Sequence, residues 1–499
     1  MTDANAIWQA IEAEPQQRLT DLFDGDDGRL ARFSGEVAGL YLDWSKTHLT
    51  PALVERYAAL AEARDFAGRR DALYSGAIVN ATEGRAATHV AERGEGSPED
   101  VAAARALHGR MRALIDAIEA EAFGPVAHIL HIGIGGSALG PDLLVDALGR
   151  DSGRYDVAVV SNVDGAALEE ATKRFDPAAT LVMVASKTFT TTETLLNAES
   201  ALGWMSEHGV DDPFGRVIAL TAAPDKAVEW GVDETRVLPF AESVGGRYSL
   251  WSSIGFPAAL ALGWSAFEEL LEGAGEMDRH FRFSEPAANL PLLAAFADHY
   301  YGHVRDAETR AVFAYDERLR LLPSYLQQLE MESNGKGVTL AGEPVAGQSA
   351  PITWGGVGTD AQHAVFQLLH QGTHLVPVEF VASVQVDHGF DDAHHRQLLG
   401  NCFAQGAALM TGKQVDDPAR SYPGDRPSAT ILLDQVEPRT LGALIAFYEA
   451  RVFAGAVLLD INPFDQFGVE LGKEMAKAVE KGGTFDPSTT ELLRRAFPA

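Results

Sequence analysis

The sequence has a single cysteine, Cys402, among 499 residues, which excludes an intramolecular disulfide. This residue lies in the apolar run QLLGNCFAQGAALM and is interpreted as a core residue rather than a reactive thiol. No apolar stretch is predicted to reach the roughly 18 to 20 residues of a transmembrane helix, so a membrane-spanning protein is not expected. The first residues, MTDANAIWQAIEAEPQQ, carry acids where a secretion signal carries bases, and we therefore expect a cytoplasmic location.

Basic residues are also scarce relative to acids. The chain has 40 Lys and Arg against 71 Asp and Glu, a formal net charge of −31, which argues against nucleic acid or an anionic membrane as a partner. An anionic ligand would therefore need a local cluster of positive charge. The composition is otherwise that of a globular chain, with 46% hydrophobic and 22% charged residues, and the length predicts two domains.

The order of predicted elements indicates an α/β protein. Residues 1–110 are predicted to be helical, because apolar residues recur at three- and four-residue spacing in runs such as LTPALVERYAALAEARDF. From Val126, short apolar runs alternate with amphipathic helices, and the same alternation recurs after residue 285. This pattern is typical of βαβ units. It predicts two parallel sheets flanked by helices, in domains at 111–285 and 286–499, the second with a C-terminal helical tail.

The first candidate ligand loop is rich in glycine. Ligands of such sheets bind beyond the carboxyl ends of the strands, and there HIGIGGSALGP matches the loose dinucleotide pattern through Gly133, Gly135 and Ala138. The same glycines suit any anion that approaches backbone N–H groups at a helix start. An acid that holds a ribose should end the next strand, but Ser161 stands there and Asp164 is only near that place. A dinucleotide such as NAD is therefore the less favoured interpretation.

A second loop, SKTFTTTET, directly follows the apolar run LVMVA. Its first six residues include the hydroxyls of Ser186, Thr188, Thr190 and Thr191, and Glu193 near the start of the next predicted helix suits the helix dipole. Capping that helix would require only one such residue. The loop therefore favours a cup for the dianionic phosphate of a sugar, with helix capping as the alternative.

Three further stretches carry reactive side chains. In VGGRYSLWSSIGFP, two glycines precede Arg247, which suits either a functional guanidinium or a loop ion pair. In SYLQQLEMESNGKG, Gln328 and Glu332 are four residues apart on a predicted helix and so share one face, although a lone glutamate is usually solvated. In GTDAQHAVFQLLHQGT, either His363 or His370 could be a core residue. His363 is the better candidate because it lies in the first helical turns, near the strand ends.

Together these stretches resemble the glucose-6-phosphate isomerase family, also called phosphoglucose isomerase. The resemblance spans most of the chain in order, through the motifs NATEGRAATHVAERG, GIGGSALGP, SKTFTTTET, VGGRYSLWSSIGFP, YLQQLEMESNGK, GTDAQHAVFQLLHQGT and FDQFGVELGK. Ala138 stands where the family commonly has aspartate, Thr192 where it has glutamine, and GTDAQH replaces the usual GTNGQH. None of these departures removes a catalytic group.

The resemblance implies two sugar-isomerase (SIS) domains and a homodimer. It also implies reversible isomerisation of glucose 6-phosphate to fructose 6-phosphate through a cis-enediol, a step of glycolysis and gluconeogenesis, with no cofactor and no metal. The sequence agrees on metals, since His394 and His395 of DDAHHRQ are adjacent and diverge on a helix. Mannose 6-phosphate as a side substrate stays open.

By resemblance, four residues carry the chemistry. His363, assisted by Lys473, is the acid that opens the sugar ring. Glu332 moves a proton between C2 and C1, and Arg247 stabilises the developing enediolate because arginine stays protonated at working pH. The family also implies that His363 reaches the site from the partner subunit, so the dimer would have shared active sites.

The sugar-phosphate substrate is predicted to contact a phosphate cup and a sugar-lining set, together Ser186, Lys187, Thr188, Thr191, Gly136, Ser137, Gly246, Gln328 and Gln466. Two other functions fit parts of the sequence. A dinucleotide-dependent oxidoreductase would use the glycine loop, and a non-enzymatic sugar-phosphate sensor would keep only the cup. The joint presence of Glu332, His363 and Lys473 argues against the sensor.

Overall fold

Two large β-sheets with flanking helices form the frame of the molecule. The computed structural model describes residues 4–150, 154–386 and 388–497. The N-terminal elements are α1 (Ala4–Glu12), α2 (Leu19–Asp24), α3 (Arg29–Phe33), β1 (Ser34–Val37), β2 (Leu40–Asp43), α4 (Pro51–Ala63), α5 (Phe66–Tyr74), β3 (Ile78–Asn80), β4 (Arg85–Ala86) and α6 (Pro98–Glu119). Next come β5 (His128–Ile132), α7 (Leu139–Leu148), β6 (Asp156–Val160), α8 (Gly165–Thr172), β7 (Thr180–Ala185), α9 (Thr192–Glu207), β8 (Val217–Thr221), α10 (Pro224–Trp230), β9 (Val237–Pro239), α11 (Phe256–Leu262) and α12 (Trp264–Phe283). The remaining elements are α13 (Leu290–His299), β10 (Thr309–Tyr315), α14 (Leu322–Asn334), β11 (Ile352–Val357), α15 (Gly358–Ala364), α16 (Phe366–Gln371), β12 (Val378–Ser383), α17 (Asp392–Thr411), β13 (Ser428–Leu433), α18 (Pro438–Leu459), α19 (Glu470–Glu480) and α20 (Pro487–Ala496).

The first sheet has the strand order β6-β5-β7-β8-β9, with all strands parallel. Its central strand β7, with the sequence TLVMVA, is buried at every position, as expected for a parallel strand covered on both faces. β5 pairs with β6 on one side and with β7 on the other. The winding therefore reverses between β5 and β7, and the loops after these two strands border one crevice at the carboxyl edge.

The second sheet repeats this winding in the order β1-β2-β13-β12-β10-β11. Here β10 pairs in parallel with β11 on one side and with β12 on the other, and β13 continues the sheet beyond β12. The prediction of two parallel α/β sheets flanked by helices is confirmed. The domain boundaries near residues 110 and 285 stay a prediction. α12, which ends just before residue 285, packs along α18.

The N-terminal segment is not entirely helical, so that prediction is wrong for residues 34–43 and for β3 and β4. β1 and β2 form a hairpin whose turn residues, Ala38 and Gly39, have φ angles of 51° and 76°. Two left-handed residues make a turn that matches the twist of the strands. β2 then pairs antiparallel with β13 and extends the second sheet. Strands of four residues carry little periodicity, and the pairing partner lies in a distant part of the chain.

Burial in α18 and at Cys402 of α17 tests two predictions about apolar segments. α18 is long and apolar enough to cross a membrane, with a mean hydropathy of 1.6, so the prediction that no such stretch exists is wrong. Its apolar window is completely buried, and α12, α13 and α14 pack against it, which is the environment of a core helix. Cys402 in α17 is buried as well, and burial raises the pKa of its thiol to about 12, which confirms its interpretation as a core residue.

A buried ionic cluster joins residues from the three predicted segments, 1–110, 111–285 and 286–499. Arg93 donates to both carboxylate oxygens of Asp278, at 2.7 and 2.9 Å, and also to Glu449. Tyr74 donates to Asp278 at 3.0 Å, and the indole of Trp251 donates to Glu449 at 2.9 Å. One guanidinium thus faces two carboxylates away from water. Burial raises the pKa of Asp278 to about 7, with attraction to Arg93 opposing the shift and repulsion from Glu449 adding to it.

Asp278→Asn is expected to change the pH dependence of stability. Because the pKa of Asp278 is about 7 in the folded protein and about 4 in an unfolded chain, the folded state holds this proton over a wider range. The free energy of unfolding of the wild type should therefore fall, relative to that of the variant, as pH rises from about 4 to about 7. Urea unfolding across this range measures the effect, with the exposed Asp211→Asn as control. Parallel pH profiles for wild type and Asp278→Asn would contradict the raised pKa.

Candidate active site

The glycine loop after β5 touches the turn that carries Arg247. A Cβ atom on Gly136 would lie 2.2 Å from the carbonyl carbon of Gly246 and 2.5 Å from the amide nitrogen of Arg247. Gly135 has a φ of +57°, and a Cβ atom there would lie 3.0 Å from Nε2 of Gln328. A side chain on Gly136 would force the two loops apart, and the left-handed backbone of Gly135 favours glycine. The contact brings Gly136, Gly246 and Gln328 to one place.

The loop after β7 presents the predicted hydroxyl groups. Oγ of Ser186 lies 3.0 Å from Oγ1 of Thr191, and Oγ1 of Thr188 lies 2.8 Å from Oγ1 of Thr190. Between them Phe189 is buried with a φ of 50°, an uncommon conformation for a residue of this size. Thr191 occupies the N-cap of α9, yet within the described chain its side chain makes no capping bond. The arrangement therefore favours a ligand cup over helix capping.

The side chain of Lys187 bonds to a neighbouring loop. Its Nζ donates to the backbone carbonyls of Glu242 and Val244, at 2.7 and 3.0 Å. Burial lowers the pKa of this ammonium group, and repulsion from Arg85 adds to the shift. The ammonium thus ties the hydroxyl loop to the segment that leads into Gly246 and Arg247.

Arg247 is buried, and each nitrogen atom of its guanidinium donates a hydrogen bond. Nη1 donates to Oε1 of Glu332 at 3.2 Å and to Oε1 of Gln466 at 3.0 Å. The other two nitrogen atoms donate to Ser333 and to two backbone carbonyls. The sequence left open a functional guanidinium or a loop ion pair, and the structure shows a buried arginine paired with Glu332.

Glu332 shares its two carboxylate oxygens between different partners. While Oε1 accepts from Arg247, Oε2 accepts from Nε2 of Gln328 at 2.7 Å. Glu332 and Gln328 border a cavity of about 1020 Å³ that Lys336 and Gln466 also line. Gln466 in turn lines a second cavity, of about 330 Å³, together with Lys187, Thr188 and Gly246. A ligand that extends past Gln466 could therefore contact the hydroxyl loop and Glu332 at once.

Sequence reasoning missed the residues that hold this arrangement together. Nζ of Lys336 donates to the backbone carbonyls of Glu332 and Asp465, at 2.8 and 2.6 Å, and pairs with the Asp465 carboxylate at 3.1 Å. Burial lowers the pKa of Lys336, and the nearby Arg247 adds to the shift. Ser333 contacts Arg247 as well. All of these residues stand in or beside the motifs quoted above, but a single motif does not show which distant motif it will contact.

His363 and Lys473 do not join the site in the part of the chain that the structure describes. His363 lies on α15 and Lys473 on α19; both are exposed, and neither lines the two cavities. Lys473 pairs with Glu470 of its own helix at 3.0 Å. Of the four predicted catalytic residues, Arg247 and Glu332 are in contact.

The second sheet carries a carboxylate where the first sheet carries its glycine loop. Asp316 directly follows β10, the counterpart of β5, and lines a cavity at the carboxyl ends of β10, β12 and β13. It accepts from the backbone N–H of Arg318 at 2.9 Å and from the hydroxyl of Ser383, the last residue of β12. Arg150 and Arg318 line the same cavity, so groups of both charge signs meet there.

Known proteins resemble this chain over its whole length. A family model described as phosphoglucose isomerase matches residues 43–493. A glucose-6-phosphate isomerase of Rhizorhabdus wittichii is 72% identical over 499 residues, which are 100% of both chains. One from Zymomonas mobilis is 62% identical and covers 99% of this chain and 98% of its own. The crystal structure of a glucose-6-phosphate isomerase from Chlamydia trachomatis has a TM-score of 0.90 at 30% identity, covering 99% of this chain and 98% of that chain.

Proposed function

The chain belongs to the phosphoglucose isomerase family, and on that premise we propose that its site interconverts glucose 6-phosphate and fructose 6-phosphate, a step of glycolysis and gluconeogenesis. The observation that carries this assignment is the pair of Arg247 and Glu332, which Arg247 joins to Gln466, the residue that lines both the cavity of Glu332 and the cavity of the hydroxyl loop. A coupled assay that detects fructose 6-phosphate formed from glucose 6-phosphate tests it. Purified enzyme without such turnover would overturn the proposal.

Glu332 is the base that moves the proton. In the open-chain sugar it takes the proton from C2 and returns it to C1, while the proton of the C2 hydroxyl passes to the C1 oxygen, so an aldose becomes a ketose through a cis-enediol. A single carboxylate can serve both steps because C1 and C2 are adjacent. Lys336 supports this role, since its bonds to the carbonyls of Glu332 and Asp465 fix the end of α14 against the following loop.

Arg247 stabilises the negative charge that develops on the enediolate oxygen. Its Nη1 donates to side chains that line the cavity, Glu332 and Gln466, so these bonds can be exchanged for bonds to substrate as charge appears. The buried guanidinium keeps its charge in a place from which water is largely excluded, where such an interaction is strong. Gln328 and Gln466 then border the sugar.

The phosphate of the substrate binds at the carboxyl edge of the first sheet. Ser186, Thr188 and Thr191 supply hydroxyl donors, and Lys187 holds their loop. Gly136, Ser137 and Gly246 form the adjoining wall, where the absence of side chains on the two glycines lets the loops meet. Anchoring the phosphate at this end directs the C1–C2 edge of the sugar to Glu332 and limits loss of the enediol.

The double variant Ser186→Ala, Thr188→Ala is expected to weaken the binding of glucose 6-phosphate far more than the binding of unphosphorylated glucose. Each lost hydrogen bond to the charged phosphate should cost about 1.5 to 3 kcal/mol, whereas glucose has no group in the cup. Calorimetric titration with both sugars measures the difference, and Thr172→Ala, at a half-buried position at the end of α8, is the matched control. Equal losses for the two sugars would place the phosphate elsewhere.

A homodimer with shared active sites completes the catalytic set. His363 opens the sugar ring as an acid, assisted by Lys473, and both are exposed in one chain. The surface beside Lys473 supports burial against a second copy, because Leu471 and Met475 expose apolar side chains four residues apart on α19. In this arrangement His363 enters the neighbouring site, beside the partner's Glu332. We place the enzyme in the cytoplasm, since its phosphorylated substrates do not cross membranes unaided.

A further inference from the structure

The guanidinium of Arg247 divides its bonds between the cavity and the interior. It has five N–H donors, and the two on Nη1 face the cavity side chains Glu332 and Gln466. Nε donates to Oγ of Ser333 at 2.6 Å. The Nη2 donors bond to the backbone carbonyls of Pro463 and Asp465, the latter at 3.1 Å. Three donors therefore hold the guanidinium in the interior, while the two on Nη1 can turn to the substrate. Of the three interior acceptors, two are backbone carbonyls and one is the side chain of Ser333.

The hydroxyl of Ser333 is itself held in place. Ser333 is fully buried, and its Oγ lies 3.0 Å from the hydroxyl oxygen of Tyr248. Tyr248 is buried too, and its ring stacks on the ring of His89 with centroids 4.6 Å apart. A hydroxyl bonded on both sides and shielded from water has little freedom to reorient. The acceptor that faces Nε of Arg247 is therefore fixed before substrate arrives.

Ser333 directly follows Glu332 in α14, and this adjacency is the basis of the inference. Successive residues of a helix point in directions about 100° apart, so one helical turn presents Glu332 to the cavity and Ser333 to Arg247. We propose that Ser333 is a positioning residue, which sets the guanidinium of Arg247 relative to the carboxylate of Glu332 for the enediolate step. The inference rests on the proposed function and adds to it a residue that does not touch the substrate.

Ser333→Ala removes one anchor of Arg247 and leaves the two backbone anchors. The guanidinium should stay in the site but tilt more freely, which matters when charge develops on the substrate. We expect kcat to fall about 10- to 100-fold and KM to change less than about threefold. Ser333→Cys keeps the size of the side chain but offers only a weak acceptor, so it should resemble Ser333→Ala. Ser333→Thr, which retains the hydroxyl, should recover most of the activity.

Ser428→Ala is the matched control, because it removes the hydroxyl of another buried serine, on β13, which lines neither cavity of the site. Its kcat should stay within about threefold of wild type. Two inhibitors give a second readout: a sugar-phosphate hydroxamate, whose planar anion mimics the enediolate, and glucitol 6-phosphate, which has no such group. Ser333→Ala and Ser333→Cys should weaken the binding of the hydroxamate about tenfold or more, and the binding of glucitol 6-phosphate less than about threefold.

Several outcomes would overturn the positioning role. Equal losses for both inhibitors would do so, as would unchanged kcat in a folded Ser333→Cys variant, or Ser333→Thr as impaired as Ser333→Ala. Thermal unfolding of each variant shows whether it is folded at the assay temperature. If Ser333→Ala is unstable, Ser333→Cys replaces it as the test, because a cysteine side chain leaves no cavity. Wild type and Arg247→Ala in the same assay distinguish failure of the proposed function from failure of the positioning role. Inactive wild type overturns the proposed function, whereas inactive Arg247→Ala beside fully active Ser333→Cys overturns the positioning role alone.

Discussion

Glu332→Gln is expected to lose nearly all isomerase activity while still binding glucose 6-phosphate, with kcat lower by roughly 10² to 10⁴-fold. Glutamine has the shape of glutamate, and its Oε1 can still accept the bond that Arg247 donates. Rotation of the Gln328 amide by half a turn lets its oxygen accept from the new side-chain nitrogen. The amide cannot take the C2 proton, so the loss should fall on kcat and leave affinity nearly unchanged.

Steady-state kinetics in both directions and calorimetric binding of glucose 6-phosphate measure the two parts of this expectation. Glu343→Gln, at an exposed glutamate in the loop after α14, makes the same chemical change outside the site and should keep full activity. If Glu332→Gln retained more than about a tenth of the wild-type kcat, Glu332 could not be the base.

The second large effect is recovery of activity when two inactive variants share a dimer. Glu332→Ala and His363→Ala homodimers should each turn over substrate poorly, since every site lacks one catalytic group. If His363 enters the site of the other subunit, a mixed dimer has one site with both lesions and one with neither. Random mixing makes about half of the dimers mixed, so activity should recover to roughly a quarter of wild type.

Co-refolding equal amounts of the two variants, with a different affinity tag on each, isolates the mixed dimers for assay. Each variant refolded alone is the control and should stay inactive. Purified mixed dimers without activity would show that His363 and Glu332 act within one chain, and the isomerase assignment would stand. A chain that remains a monomer at assay concentration, yet is fully active, would overturn the shared site as well.

The sequence predicts where the candidate site lies, because the proposed site residues follow the ends of two strands. Gly136 comes just after β5 and Ser186 directly after β7, and parallel strands that are neighbours end at the same edge of the sheet. Helical spacing also predicted that Gln328 and Glu332 share a face, and the 2.7 Å bond between them confirms it. Short-range sequence patterns were sufficient in both cases.

Contacts between distant segments could not be predicted in the same way. Arg247 is held by Ser333, 86 residues later, and by the carbonyls of Pro463 and Asp465, and none of these contacts leaves a local pattern. The side chain of Lys187 bonds to a loop 55 residues later, although its position in the phosphate motif predicts contact with a ligand. A residue type and its neighbours indicate that a group is available, whereas tertiary packing decides which partner it meets.

Glucose 6-phosphate labelled with deuterium at C2 shows whether Glu332 carries the proton. A carboxylate that takes the label from C2 and returns it to C1 should leave part of the deuterium on C1 of fructose 6-phosphate and release the rest to water. Proton and deuterium NMR follow both fates in wild type and in Glu332→Gln. We expect the wild type to transfer and release label, and the folded, substrate-binding Glu332→Gln variant to do neither at a measurable rate. A Glu332→Gln variant that moves deuterium from C2 as fast as the wild type would contradict the role of Glu332 and the mechanism built on it.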